Sequence, residues 1–100
     1  MKYIIDIDGT ICNNTYGDYD IAEPFVERIA YLNSLYDLGH EIHYWTARGS
    51  NTGTDWTRLT LAQLKEWGVK YTTAKLRKPA YDVWVDDKAF NDKEFFKCIS

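Results

Sequence analysis

Tyr3-Ile4-Ile5-Asp6-Ile7-Asp8-Gly9-Thr10 is the stretch on which the reading of the fold turns. A short apolar run of β type ends on an acid, and a Gly-Thr turn follows it. Outward from there, Asn13 to Asp20 is polar and rich in turn formers. Pro24 suits the first turn of a helix. Phe25, Ile29, Leu32, Leu35, Tyr36 and Leu38 then recur at helical spacing, and Gly39 closes the helix. Glu41-Ile42-His43-Tyr44-Trp45 reads as a second strand ending at Thr46. A second helix is predicted to begin within Thr52 to Asp55. It carries Trp56, Leu59, Leu61, Leu64 and Trp67 and stops at Gly68. Val69 to Thr73 is a weak third strand. Ala80 to Val85 is a fourth, ending at Asp86-Asp87, and Asn91 to Ile99 is a terminal helix.

Strands alternating with helices imply βαβ units and a mostly parallel sheet with helices over its faces. The expected class is α/β, a small three-layer Rossmann-like fold. The 100 residues make one domain, residues 1–100, and a 45% hydrophobic composition is enough to fill one core. No repeat or linker divides the chain. The formal charge of −3 gives no reason to expect long nucleic acid or an anionic membrane as partner. The apolar runs are too short to span a bilayer. Asp6 interrupts what would be the apolar stretch of a signal peptide. Cys12 and Cys98 are too few for a disulfide framework, so a reducing, cytoplasmic setting is expected.

In a parallel sheet the ligand lies outside the carboxyl ends of the strands. Asp6, Thr46 and Asp86-Asp87 each follow a strand, so the topology predicts that they meet at one edge. Asp6, Asp8, Asp86 and Asp87 together make a strongly negative pocket, which calls for a hard divalent cation with oxygen ligands, Mg²⁺ first. The Thr46 hydroxyl and Lys78, or Lys75, could hold the remaining oxygens of a phosphate. A nucleophile, an acid/base, a metal and a cation form a complete set for phosphoryl transfer.

These residues carry a resemblance. Asp6-Ile7-Asp8-Gly9-Thr10 is similar to the first motif of the haloacid dehalogenase superfamily of phosphohydrolases. His43-Tyr44-Trp45-Thr46 resembles its second motif, Lys78-Pro79 its third, and Val83-Trp84-Val85-Asp86-Asp87 its fourth, in family order over nearly the whole chain. Trp45-Thr46-Ala47-Arg48-Gly49 and Val85-Asp86-Asp87-Lys88-Ala89 also resemble capsule-polysaccharide biosynthesis phosphatases. The resemblance implies that Asp6 attacks phosphorus and becomes an aspartyl-phosphate. It implies that Asp8 protonates the leaving alcohol and later activates water. Thr46 and Lys78 bind the phosphate, with Gly9, Thr10, Ala47 and Arg48 as further substrate-binding residues. The metal set is Asp6, Asp8 through its backbone carbonyl, Asp86 and Asp87, with Asp87 a direct ligand and Asp86 a ligand or one step removed. The segments where the family inserts a cap are short here, so a capless member with an open site is implied. A large substrate or a neighbouring subunit, as in a homo-oligomer, would complete that site.

The expected function is therefore hydrolysis of a phosphate monoester on a small phosphorylated metabolite, such as a sugar or polyol phosphate of surface-polysaccharide synthesis. Three rivals stand beside it: a phosphatase of nucleotides or nucleic-acid ends, a silent Mg²⁺-binding module, and a dehalogenase. Retention of both Asp6 and Asp8 argues against the last two. Some residues have plainer readings. Arg48 is either a solvated turn residue or a substrate-phosphate contact. Lys75, Arg77 and Lys78 could form an exposed basic loop. Asp55 and Trp56 fit a helix cap and a core aromatic. His43 fits packing, and nothing marks Cys12 as an activated nucleophile.

Overall fold

A computed structural model describes residues 1–97. Three strands form one sheet in the order β1-β2-β3: β1 (Lys2–Ile5), β2 (Glu41–Trp45) and β3 (Thr73–Lys75). Both pairings are parallel, with Ile5 opposite Tyr44 and Trp45 opposite Lys75. Helix α1 (Val26–Asp37) links β1 to β2, and α2 (Thr57–Glu66) links β2 to β3. A 3₁₀ turn at Tyr19–Ile21 precedes α1, and the short α3 (Asp92–Phe95) follows the sheet. The expected terminal helix thus contracts to one turn. Cys98 and Ile99, its expected end, lie outside the described residues.

Consecutive strand order decides where the helices go. Right-handed crossovers between β1 and β2 and between β2 and β3 put both connecting helices on the same face. Burial agrees. Tyr3, Ile5, Ile42 and Tyr44 share one face by register. Ile5, Ile42 and Tyr44 are buried there with Ile29 and Leu32 of α1, Leu64 of α2, Val69 and Phe96. Ile4, His43 and Trp45 look the other way, and Ile4 is 64% exposed. The parallel α/β expectation therefore holds, while among the described residues helices cover one face of the sheet rather than both.

The element ends follow local chemistry. Gly39, at φ +96°, makes the left-handed turn after α1 that returns the chain to β2. α2 starts at Thr57, later than predicted. The Thr57 hydroxyl, and after it the Thr57 N–H that the Asp55 carboxylate accepts (3.0 Å), hold that carboxyl below its usual range. The apolar residues of α2 do not all face inward. Thr60, Gln63 and Leu64 are buried, and Leu61 is exposed.

Two strand predictions need correcting. Val69 to Thr72 is the connection into β3, and the ladder begins only at Thr73. Val69 is buried in the core, which gives the segment its strand-like composition without ladder pairing. Ala80 to Val85 forms no strand, and Val85 is 91% exposed. Its aromatic residues pack sideways instead: Trp84 meets Trp45 edge-on at 6.3 Å and lies tilted against Tyr81 at 5.0 Å. Asp86 and Asp87, which were to end that strand, are exposed.

The packing separates two leucines that the helical spacing treats alike. Leu32 is fully buried and Leu38 is 76% exposed. Leu32→Ala is expected to cost about 2–5 kcal/mol in chemical denaturation, and Leu38→Ala no more than about 0.5 kcal/mol.

Candidate functional site

The carboxyl ends of β1 and β2 lie side by side, and the chain turns sharply after each. Past β1, the Ile7 carbonyl accepts the N–H groups of Thr10 (3.0 Å) and Ile11 (2.9 Å), while the Gly9 N–H donates to the Cys12 carbonyl (2.9 Å). Gly9 sits at φ +82°, a conformation that glycine adopts without a Cβ penalty. This tight turn buries Ile7 and leaves Asp6 and Asp8, on either side of it, half-buried at the sheet edge.

Asp6 faces the loop that follows β3. Lys78 Nζ lies 3.9 Å from Asp6 Oδ1, with the Lys78 side chain 13% exposed and that of Asp6 36% exposed. The Thr10 hydroxyl donates to Asp6 Oδ2 at 3.4 Å. Burial pushes the Asp6 carboxyl above the usual carboxylate range, and the Lys78 ammonium acts against that rise. Lys78 is held in place from several sides. Its N–H donates to the Thr46 carbonyl (2.9 Å), and its own carbonyl accepts the Ser50 hydroxyl (2.6 Å). Its ammonium lies 5.2 Å from the Tyr81 ring centre and 5.3 Å from that of Trp84. Arg77, just before it, takes the left-handed conformation at φ +63°. Lys75 is exposed, and its carbonyl accepts the Thr46 N–H (2.9 Å). Of the two lysines, it is Lys78 that reaches the acid.

Asp8 faces inward, toward Arg48. The Arg48 side chain is fully buried, and its fork donates from Nε to Asp8 Oδ2 and from Nη2 to Asp8 Oδ1, each at 2.9 Å. Nη1 donates to Thr60 Oγ1 (3.1 Å) and Gln63 Oε1 (2.7 Å) on α2. The guanidinium carbon lies 4.6 Å from the Tyr19 ring centre. Arg48 is therefore neither a solvated turn residue nor free to meet a substrate phosphate. The buried Thr46 hydroxyl accepts the Arg48 N–H (3.2 Å) and donates to Asp8 Oδ2 (3.4 Å). Gly9 and Thr10 lie in the turn beside Asp6, and Ala47 is exposed between Thr46 and Arg48.

The charge at this edge departs from the strongly negative pocket expected. Asp6 and Asp8 each face a cation, Lys78 and Arg48 respectively. Asp86 stays outside: its carboxylate accepts the Lys88 N–H (2.8 Å), which keeps it below the usual range. Among the described residues, no three or more His, Cys, Asp or Glu side chains gather closely enough to hold a metal ion. Cys12 is buried under Asp8, and burial pushes its thiol up to about 12, far from nucleophile chemistry. His43 bonds with Thr73 Oγ1 at 2.6 Å, as a packed strand residue does.

Sequence reasoning missed Thr60, Gln63 and Tyr19. A signal existed: Trp56, Thr60, Gln63, Leu64 and Trp67 share one helical stripe, and two polar residues on an inward stripe call for a buried polar partner.

No family model matches the chain, and no curated protein matches it. Among solved structures it is similar to a structural genomics target from Vibrio cholerae, at 28% identity and a TM-score of 0.84. The match covers 94% of this chain and 85% of the other. Among the described residues, no helix is long and apolar enough to cross a membrane.

Gly49 makes the turn that sends Arg48 inward. It sits at φ +82°, and an added Cβ would collide with the Thr54 carbonyl oxygen. Gly53, at φ +71°, has open space around it. Gly53→Ala is expected to cost about 1 kcal/mol for its backbone conformation alone, and Gly49→Ala clearly more, as read by chemical denaturation.

Proposed function

We propose that this chain is a Mg²⁺-dependent phosphate monoester hydrolase that works through an aspartyl-phosphate on Asp6. The observation that carries the reading is the placement of Asp6 between the Lys78 ammonium and Asp8 at the carboxyl edge of a parallel sheet. Asp6 is a third exposed, so a phosphate can reach it. The 3.9 Å separation from Lys78 is longer than a hydrogen bond, which leaves the ammonium's donors for phosphate oxygens.

In this reading an Asp6 oxygen attacks phosphorus in line with the ester oxygen. The P–O bond to the alcohol breaks, and Asp8 gives that oxygen its proton. Asp8 then takes a proton from the water that attacks the phosphoryl group on Asp6, releasing phosphate and the carboxylate. Lys78 stabilises the charge spread over the transferring oxygens. Thr46 acts from below, through its hydrogen bond to Asp8 and its carbonyl's hold on the Lys78 backbone.

The donor set suits Mg²⁺, which characteristically takes one or two carboxylates and completes its shell with water and phosphate oxygens. Asp6 offers a carboxylate oxygen and Asp8 its backbone carbonyl, while the Asp8 carboxylate, with one lone pair on each oxygen occupied by Arg48, keeps the others for proton transfer. Asp86 and Asp87 follow Trp84 by two and three residues, a tether of at most about 10 Å from a residue that itself touches Lys78. When bound, the ion would neutralise charge on the phosphate.

The fold reading goes with this one. The Ile4–His43–Trp45 face is open, and the apolar Val83–Val85 run meets it at Trp45. Packing of that run across the face would supply the third layer of a capless Rossmann-like core. The substrate in this proposal is a small phosphorylated metabolite, a sugar or polyol phosphate in a reducing compartment. With so small a substrate, a neighbouring subunit completes the open site.

Asp6→Asn is expected to abolish turnover of 4-nitrophenyl phosphate with the circular dichroism spectrum unchanged. Chelation should stop the wild-type reaction and added Mg²⁺ restore it; full activity of Asp6→Asn, or turnover in chelator, would overturn the reading. Lys78→Ala is expected to lower kcat/KM about a hundredfold or more, and Lys75→Ala only a few fold. The reverse order would move the phosphate-binding role to Lys75.

A further inference from the structure

A guanidinium shut away from water is costly unless each of its donors finds an acceptor. Arg48 is 1% exposed, and all three of its nitrogens donate. What distinguishes the arrangement is how the donors divide. Nε and Nη2 form the fork on Asp8, whose side chain is 16% exposed at the rim of the site. Nη1 is spent on Thr60 and Gln63, both buried on the inward stripe of α2. Gln63 in turn donates through Nε2 to the Tyr19 carbonyl (2.5 Å), and the Tyr19 ring covers the guanidinium. Tyr19 also meets Trp56 edge-on at 5.0 Å. The acid at the site edge is thus tied through one rigid planar group to a helix and to the 3₁₀ turn ahead of α1.

A purely structural ion pair has no need of this asymmetry. An acid that only supports the fold could be buried with its partner. Here one end of the pair is walled in by the framework, and the other end is the carboxylate that opens to the site. Thr46 Oγ1 and Cys12 Sγ add contacts to Asp8 at 3.4 and 3.6 Å, so it is held from several directions. A carboxylate gripped on both oxygens by a fork keeps one rotamer and one plane, which a lysine's point charge would not impose.

We propose that Arg48 is a positioning residue for Asp8: the fork anchored on Thr60, Gln63 and Tyr19 fixes the direction in which Asp8 exchanges a proton with the leaving group. This rests on the phosphatase reading above, and two measurements separate its failure from the failure of that reading. The first is kinetic. An alkyl phosphate needs its leaving oxygen protonated, whereas 4-nitrophenolate leaves with little help. A misaimed Asp8 therefore harms the alkyl ester more, and positioned acid–base catalysis is worth about 10²–10⁴-fold.

With the full chain, Arg48→Lys is expected to lower kcat for an alkyl phosphate at least about tenfold more than for 4-nitrophenyl phosphate, with KM unchanged for both. Gln63→Leu, which removes one anchor and leaves Asp8 and Arg48 in place, should shift the ratio in the same direction by a smaller factor. It supplies the kinetic answer should Arg48→Lys fail to fold. Equal losses on both esters would reduce Arg48 to a fold-supporting role and overturn the proposal. So would a raised KM at constant kcat, which would make Arg48 a phosphate contact. The second measurement needs no turnover. The Arg48 Nε–H should give a slowly exchanging ¹H–¹⁵N signal that Asp8→Asn abolishes, and a rapidly exchanging Nε–H in the wild type overturns the fork. A wild type with that signal but without activity on any phosphate ester would refute the phosphatase reading, and with it the catalytic purpose assigned to the fork.

Discussion

The burial of one guanidinium shapes the carboxyl edge of this sheet, where the candidate site lies. A buried positive charge needs a negative partner and filled hydrogen bonds, and removing either leaves a cost of several kcal/mol. Arg48 meets that demand by drawing on four separate stretches of chain: the turn after β1 gives Asp8, β2's exit gives Arg48 itself, α2 gives Thr60 and Gln63, and the 3₁₀ turn gives Tyr19. Each is thereby placed relative to the others. The same demand accounts for Gly49. The chain must turn immediately after Arg48 and pass against the Thr54 carbonyl, where no Cβ fits.

The sheet's simplicity sets the rest. With strands in the order β1-β2-β3, both connecting helices fall on one face, and the opposite face carries Ile4 exposed. The site sits at the carboxyl edge of this half-clad sheet, and loops supply its cations. The two cations are not equivalent. Arg48 is buried with four of its five N–H groups on protein acceptors, so an arriving anion has little to gain from it. Lys78 is separated from Asp6 by 3.9 Å and flanked by Tyr81 and Trp84, so its charge is partly desolvated yet not satisfied by a close acceptor. In the proposed reading, an anion entering this edge is drawn to the side of Asp6 that Lys78 faces. Physical separation of the two acids, one with a filled partner and one with an open one, is what distinguishes their chemistry.

Much of the fold was legible from the chain. β1 and β2 were placed within a residue, because each is a short β-type run stopped by a polar residue, Asp6 or Thr46. α1 followed from the spacing of Ile29 and Leu32 and from Gly39. Failures came where burial imitates pairing. Val69 is apolar because it fills the core, and its neighbours are connection rather than strand. Val83 to Val85 has strand composition without a ladder, and aromatic contacts take the ladder's place. At the site, residues adjacent in sequence to a strand end were readable: Asp6, Asp8 and Thr46. Arg48's inward course was not, because it depends on acceptors 12 and 15 positions away on α2. Leu61 is apolar yet exposed, because the polar Thr60 and Gln63 share the inward stripe of α2 with Leu64.

The segment after Lys78 joins the two unfinished parts of the structure. Tyr81 and Trp84 lie against the Lys78 ammonium, and Trp84 also rests on Trp45, on the open face of the sheet. The exposed acids Asp86 and Asp87 come immediately after. Whatever fixes this segment therefore sets three things together: how far Lys78 is desolvated, how much of the Trp45 face is covered, and how near the two acids stand to Asp6. A short run with Pro79 at its head and no ladder bonds has little of its own to hold it, so these contacts must do so. Trp84 is the residue common to all three. Its ring is the physical link between the cation that faces Asp6 and the side of the sheet on which, among the described residues, no helix packs.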